Sequence, residues 1–225
     1  MIIPKKEKME NARSYALRLL TQNIISLELP PGSSVSENEI SSQIQVSRTP
    51  VREALIELSK MGLIEIIPQR GSYVTKIDYA LIEDSRFIRL ALEDAIVKLA
   101  CAQIDDTYIR QLEENLQRQK ECIDSEDMLR FLEHDNEFHK LIFYSVGKEY
   151  AYEFLKPQMV HFDRLRTLTL KSLKYQKNYE DHENLLYAIK RKDAELAGMI
   201  ITRHLERLNF DKQALMEKYS DYFVN

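Results

Sequence analysis

The sequence predicts a mainly α protein in two parts. Residues 1–77 read as three helices and a two-stranded wing, and residues 78–225 as an all-helical bundle of six or seven helices. Three observations carry this. Only 5 of 225 residues are glycine, and long stretches lack both Gly and Pro, which favours helices. Strand-like text is confined to "LIEIIP" and "SYVTKI". The chemistry also divides: residues 1–77 hold 10 Lys/Arg against 8 Asp/Glu, residues 78–225 hold 22 against 28, and all five histidines lie in the second part.

The elements follow in order. Leu17, Leu20, Ile24, Ile25 and Leu27 mark a helical stripe from about Asn11 to Leu27, which Pro30-Pro31-Gly32 stops. Ser36 precedes Glu37 and Glu39 and suits an N-cap, with a short helix running to about Ile44. Gln45-Val46 makes a turn, and Ser47 caps the next helix. Pro50 falls in its first turn, where a missing N–H costs nothing. Gly62 ends that helix, and "QRG" joins the two strands with Gly71 at the bend.

In the second part, helices are expected near 80–102, from Asp105-Asp106, from a Ser125 cap to about Gly147, and from Tyr150 to about Leu173 with either a kink or a break at Pro157. Two more are expected over 179–191 and from an Asp193 cap to about Tyr219. With 44% apolar residues the chain can bury a sizeable core. No apolar run reaches the length of a membrane span, and the start has no secretory h-region. Cys101 and Cys122 form no framework and read as reduced thiols, which with the missing h-region points to the cytoplasm.

Two groupings carry chemistry. Arg48 and Arg52 in "SRTPVREAL" lie one helical turn apart on one face, at a helix N-terminus that favours anions. Arg suits bidentate contact with guanine or phosphate, and a short helix pair presenting such an end is how a helix-turn-helix enters a major groove. Taken alone, two arginines are better read as a solvated face with salt bridges to neighbours such as Glu53 or Glu57. The second grouping is Asp135 and His139, at i and i+4 in "DNEFH", with His182 and His204 on later helices. Three imidazoles and a carboxylate suit Zn²⁺, Ni²⁺ or Mn²⁺, and a bundle can bring three helices to one interior point. His134 and His161 read as surface or satisfied polar residues.

The stretch "LELPPGSSVSENEISSQIQVSRTPVREALIELSKMGLIEIIPQRGSYV" resembles the winged helix-turn-helix of the GntR family of bacterial transcription regulators, a resemblance that covers about residues 13–77. It implies a DNA-binding surface made by Ser47, Arg48, Thr49 and Arg52, with Gln69, Arg70 and Gly71 at the wing tip. Asn38 stands where some relatives carry a basic residue. "FIRLALEDAIVKLACA", "HDNEFHKLIF", "DHENLLYAIKRKDAELA" and "ITRHLERL" resemble the ligand-binding domain of the family's FadR-like branch. In its metal-binding members an Asp and three His stand where Asp135, His139, His182 and His204 stand here. The resemblance also places Arg89 at the effector pocket, beside Glu93, where it would fork onto a small carboxylate. An ordinary i, i+4 ion pair between Arg89 and Glu93 explains the same residues. Arg164 and Arg166 are candidates for further positive charge there.

The expected function is a homodimeric repressor on a near-palindromic operator in double-stranded DNA, controlled by a small organic acid at the metal site. A metal-dependent hydrolase using the histidine cluster is the alternative, against which stand the missing HExxH and the lack of a general base beside the ligands. Glu137 adjoins the ligands in sequence but faces elsewhere on the helix. A third reading is a helical module whose metal only stabilises the fold.

Overall fold

The structure is a computed structural model that describes residues 1–170, 175–207 and 212–224. The chain forms two compact units, Met1–Tyr79 together with Met216 onward, and Ala80–Leu215.

In the first unit, α1 (Ala12–Ile25) starts at Asn11, whose side chain accepts from the Ser14 N–H. After the Pro30-Pro31 turn comes β1 (Ser34–Val35), a strand that the sequence reading missed. Two residues are too few for alternation to register; tertiary pairing makes the strand. With β2 (Ile64–Ile67) and β3 (Gly71–Val74) it forms an antiparallel sheet in the order β1-β3-β2, so the expected two-stranded wing has three strands. Between β1 and β2 lie α2 (Glu37–Gln43), capped by Ser36, and α3 (Arg48–Lys60). The α3 helix ends as expected at Gly62, whose φ of +70° lets the Leu63 N–H reach the Leu58 carbonyl and the Gly62 N–H reach Ser59. Leu19, Leu20, Ile24, Val51, Leu55 and Leu58 bury one face of each helix in the core of this unit.

Ser47 stands at the N-cap of α3 but makes no side-chain capping bond. The reason is local. A cap accepts from the N–H of the second or third helical residue, and the third is Pro50, which has none.

The end of the chain returns to this unit. The Ile77 N–H donates to Tyr222 C=O (2.7 Å), the Val224 N–H donates to Ile77 C=O (3.0 Å), and the buried Phe223 ring stacks on Tyr79 at 5.6 Å. Residues from Met216 onward thus group with 1–79 rather than with the bundle to which the sequence reading assigned 78–225.

Among the described residues the second unit holds seven α-helices and no strand. They are α4 (Tyr79–Gln103), α5 (Asp106–Asp124), α6 (Met128–Tyr144), α7 (Glu149–Leu155), α8 (Val160–Leu170), α9 (Tyr175–Lys190) and α10 (Ala194–Glu206). A short α11 (Lys212–Lys218) follows. Pro157 sits in a 3-10 turn (Lys156–Met159) that separates α7 from α8, so the expected fourth helix is two. Its expected end near Leu173 lies outside the described residues. Ser125 closes α5 instead of opening α6, because Glu126 takes a left-handed φ of 56° and Asp127 caps α6 by accepting from the Arg130 N–H.

The polarity of α4 is unusual. Its buried face carries Ser85, Arg89 and Glu93 beside Ile82, Ile96 and Val97, while Phe87 is 71% exposed in the single chain, with Leu81 and Leu99 also exposed. On α5 the buried stripe Leu112, Asn115, Leu116, Gln119, Cys122 likewise contains two amides. Burying such groups is costly unless they are partnered, so each marks a place where the bundle is built around chemistry as well as packing.

Candidate metal centre and nucleic-acid interface

Within the second unit, Asp135 and His139 project from α6, His182 from α9 and His204 from α10. All four are buried, and one candidate ligand atom from each lies within 4.8 Å of the others. The i, i+4 spacing on α6 explains the first pair. His139 Nε2 is 3.6 Å from one Asp135 oxygen and His182 Nε2 is 3.7 Å from the other. The imidazole rings gather edge to face or tilted, with centroids 4.7–5.2 Å apart.

His182 and His139 each have a second residue at hydrogen-bond distance on the nitrogen turned away from Asp135. For His182 that partner fixes the tautomer. A main-chain carbonyl only accepts, so Asn115 must donate its Nδ2–H to His134 C=O (3.0 Å). Asn115 Oδ1 then accepts from Gln119 Nε2 (2.7 Å), and Gln119 Oε1 is left to accept from His182 Nδ1 (2.8 Å). His182 therefore carries its proton on Nδ1 and offers the Nε2 lone pair toward Asp135. His139 Nδ1 lies 2.6 Å from Glu93 Oε2, and His204 Nδ1 lies 3.6 Å from Asp181 Oδ2. Asp181 is itself held by Arg203 (2.7 Å) and Arg207. Carboxylates and amides on the outer nitrogens of histidines are the partners that orient metal ligands.

The electrostatics agree. Burial pushes His182 well below its ordinary value and lowers His139, so both are neutral imidazoles at neutral pH. Burial alone would raise Asp135 and Glu93. Arg166 holds Asp135, and Arg89 holds Glu93, well below the usual carboxylate range. Burial raises Asp163 more than the neighbouring Arg166 and Arg89 lower it.

The donor set fits a borderline divalent cation. Both Asp135 oxygens and the Nε2 atoms of His139 and His182 are buried without an aligned hydrogen bond, the condition of a polar group meant for another partner.

Arg89 and Glu93 belong to the same cluster. Arg89 Nε donates to Glu93 Oε1 (2.5 Å), so the i, i+4 pair exists, yet both residues are buried and Glu93 reaches on to His139. The guanidinium lies over the Phe162 ring (5.1 Å), and its two Nη atoms are buried without hydrogen bonds. Arg166 on α8 donates Nη1 to Asn136 Oδ1 (2.7 Å) and Asp163 Oδ1 (3.0 Å), while its Nη2 contacts Asp135. Arg164 is buried, and burial lowers it to about 10. Glu137 is engaged by Lys140 (3.0 Å) and supplies no general base.

The sequence reading missed Gln119, Asn115, Asp163 and Asp181. Their one available signal was a polar residue at a core-stripe position, as in "NLQRQ".

In the first unit, Ser47, Arg48, Thr49 and Arg52 occupy the cap and the first five positions of α3, all exposed. Arg52 donates from Nε to both Glu37 oxygens (3.1 and 3.2 Å) and from Nη2 (3.0 Å), a fork from α3 onto the first residue of α2. Gln69 and Arg70 are exposed between β2 and β3, and the exposed Gly71 opens β3. Pro68 precedes Gln69, whose left-handed φ of 62° lets the Arg70 N–H return to Ile67 C=O (3.0 Å).

Comparison with known proteins gives two domains. Residues 14–74 match the domain described as bacterial regulatory proteins, gntR family, and residues 84–207 match the FCD domain. The chain is 32% identical over 207 residues to the HTH-type transcriptional repressor RspR of Escherichia coli K12, covering 92% of this chain and 91% of that protein. It is 29% identical to the gluconate operon transcriptional repressor of Bacillus subtilis, covering 94% of this chain and 85% of that one. Among solved structures, E. coli McbR/YncC superposes with a TM-score of 0.80 at 20% identity, over 94% of this chain and all of that one. The two sequence relatives are named as transcriptional repressors rather than enzymes, which sets the hydrolase reading aside.

Proposed function

Since the chain belongs to the GntR family of bacterial transcriptional regulators, with a GntR domain followed by an FCD domain, we propose that it is a metal-dependent, ligand-responsive repressor. Asp135, His139, His182 and His204 would hold one divalent ion, of the Zn²⁺, Ni²⁺ or Mn²⁺ type. When bound, that ion supplies a Lewis-acid anchor for one oxygen of a small organic acid. Arg89, steadied by Glu93, grips the same carboxylate through its two Nη atoms.

The DNA side rests on α3 and the wing. Ser47, Arg48, Thr49 and Arg52 meet one half-site, and Gln69, Arg70 and Gly71 meet the backbone or minor groove beside it. A homodimer in the cytoplasm reads a near-palindromic operator, with phosphate contacts supplying salt-dependent affinity. Phe87 of α4, 71% exposed in the single chain, is a candidate contact for self-association. No helix among the described residues is long and apolar enough to cross a membrane.

The observation that carries the reading is Arg89. A buried guanidinium with two Nη atoms lacking hydrogen bonds, beside a buried Asp/His cluster, suits an anion and a cation together. A purely stabilising metal would not need it. The test is operator affinity measured with and without a panel of small carboxylates. One of them should shift it, and Asp135→Ala and Arg89→Ala should each abolish the shift. A normal response in both variants would overturn the effector site.

A further inference from the structure

Arg166 and the metal ligands use the same carboxylate. Arg166 is anchored at one edge: Nη1 donates to Asn136 Oδ1 at 2.7 Å and to Asp163 Oδ1 at 3.0 Å. Its other terminal nitrogen, Nη2, contacts Asp135 Oδ2 but makes no aligned hydrogen bond. The same Oδ2 lies 3.6 Å from His139 Nε2, inside the ligand cluster. A divalent ion held by the four residues would compete with Arg166 Nη2 for Asp135, while the Nη1 anchor on Asn136 and Asp163 is independent of that contest.

Charge balance sets the order of binding. Three carboxyl groups, Glu93, Asp135 and Asp163, surround two guanidiniums, Arg89 and Arg166. Each guanidinium is already engaged by carboxylates, Arg89 by Glu93 and Arg166 by Asp135 and Asp163, so the cluster offers little to an added anion. A divalent ion at the cluster would add two positive charges beside them. It also turns Arg166 Nη2 from a carboxylate's counter-ion into a buried donor in need of an acceptor.

We infer that Arg166 is an exchangeable counter-cation. Metal uptake transfers Asp135 from Arg166 to the ion, and the released Nη2 joins the two Nη atoms of Arg89 as a donor for a carboxylate, so that metal and anion bind in that order. This rests on the metal reading of the cluster given above. It assigns Arg166 a positioning role opposite in sign to that of a ligand-orienting residue. An orienting residue raises metal affinity, whereas a competitor lowers it until the anion arrives.

The test uses the full-length protein, Co²⁺ as the metal and acetate as the anion, with the visible absorption of bound Co²⁺ as the readout. In the wild type, acetate should perturb the Co²⁺ bands and tighten Co²⁺ binding within the usual range of site-to-site coupling, roughly 5- to 150-fold. In metal-free protein, calorimetry should show acetate binding weaker by the same factor, because coupling is reciprocal. Arg166→Gln should bind Co²⁺ at least as tightly as wild type without acetate and lose the acetate effect. Arg166→Lys keeps the charge but loses the fork, and should fall between the two; it carries the test if the Gln variant does not fold by circular dichroism. Weaker Co²⁺ binding in Arg166→Gln, or an undiminished acetate effect, overturns the exchange. Should the wild type bind no Co²⁺, or Asp135→Ala and His182→Ala bind it normally, the metal reading of the cluster falls, and the exchange with it.

Discussion

Glu37 grips Arg52 across the helix-turn-helix, accepting three hydrogen bonds of 3.0–3.2 Å along the Nε–Nη2 edge of the guanidinium. Arg52 is nonetheless 65% exposed. The grip takes one edge and leaves Nη1 outside it, so it aims the side chain without hiding it. As a surface ion pair it adds little stability. Its effect is on geometry, where a guanidinium held by a carboxylate enters a groove with less rotamer freedom to lose. Glu37→Gln weakens the hold and removes a negative charge near DNA. It should raise affinity for random duplex and narrow the ratio of operator to random binding, read by fluorescence anisotropy. An unchanged ratio would separate Glu37 from DNA reading.

Arg48 and Arg52 stand at the first and fifth positions of α3. Arg48→Ala and Arg52→Ala should each cost about 1–3 kcal/mol of operator affinity if both make bidentate base contacts. If one only grips phosphate, its variant should lose affinity evenly across sequences and flatten the salt dependence by about one unit of slope. Arg70→Ala at the wing should behave in that second way. Operator affinity unchanged in both α3 variants would sink the assignment.

Metal removal gives the third prediction. Ligands that gather from α6, α9 and α10 link three helices, so a bound ion stabilises the folded bundle by mass action. Chelation should lower the melting temperature, and added Zn²⁺ should restore it. Asp135→Ala and His204→Ala should melt at one temperature with or without chelator. Elemental analysis of the purified protein, with native mass spectrometry, would give the ion, any retained acid and the oligomeric state. The absence of any metal effect on melting would refute the assignment.

Gln119 supplies a sharper test of the same centre, because it touches no candidate ligand atom facing Asp135. Its Oε1 accepts the His182 Nδ1 proton and so sets the tautomer. Gln119→Ala should weaken metal binding about 10- to 100-fold, the usual loss when a ligand's outer partner goes. Gln119→Glu keeps an acceptor and should recover most of it. Equal affinity in all three proteins would detach the amide chain from the metal.

The parts of the fold legible in the sequence were those written in local grammar. The Pro30-Pro31-Gly32 stop, the Ser36 and Asp193 caps and the Gly62 exit each act within a few residues, and each stands where its spacing placed it. Asp135 and His139 were legible for the same reason, being one helical turn apart. What needed the tertiary structure spans long separations. Arg52 and Glu37 are 15 residues apart, His182 and Gln119 are 63 apart, and β1 exists only through its pairing with β3. Ser47 was misjudged as a bonded cap because Pro50 was weighed only for the helix it tolerates, not for the N–H it withholds.

The Ile77–Phe223 bridge makes the first unit discontinuous along the chain. No single cut releases it whole. A fragment ending at Tyr79 would keep the helices that face DNA and lose the residues that stack on the Tyr79 ring and satisfy both backbone groups of Ile77. Such a fragment should bind operator DNA yet unfold at lower denaturant than the same unit in the intact chain. A peptide spanning 216–225, added in trans, should restore part of the difference. The practical unit of excision is therefore two segments, and a fusion placed after Phe223 lies beside a structural seam.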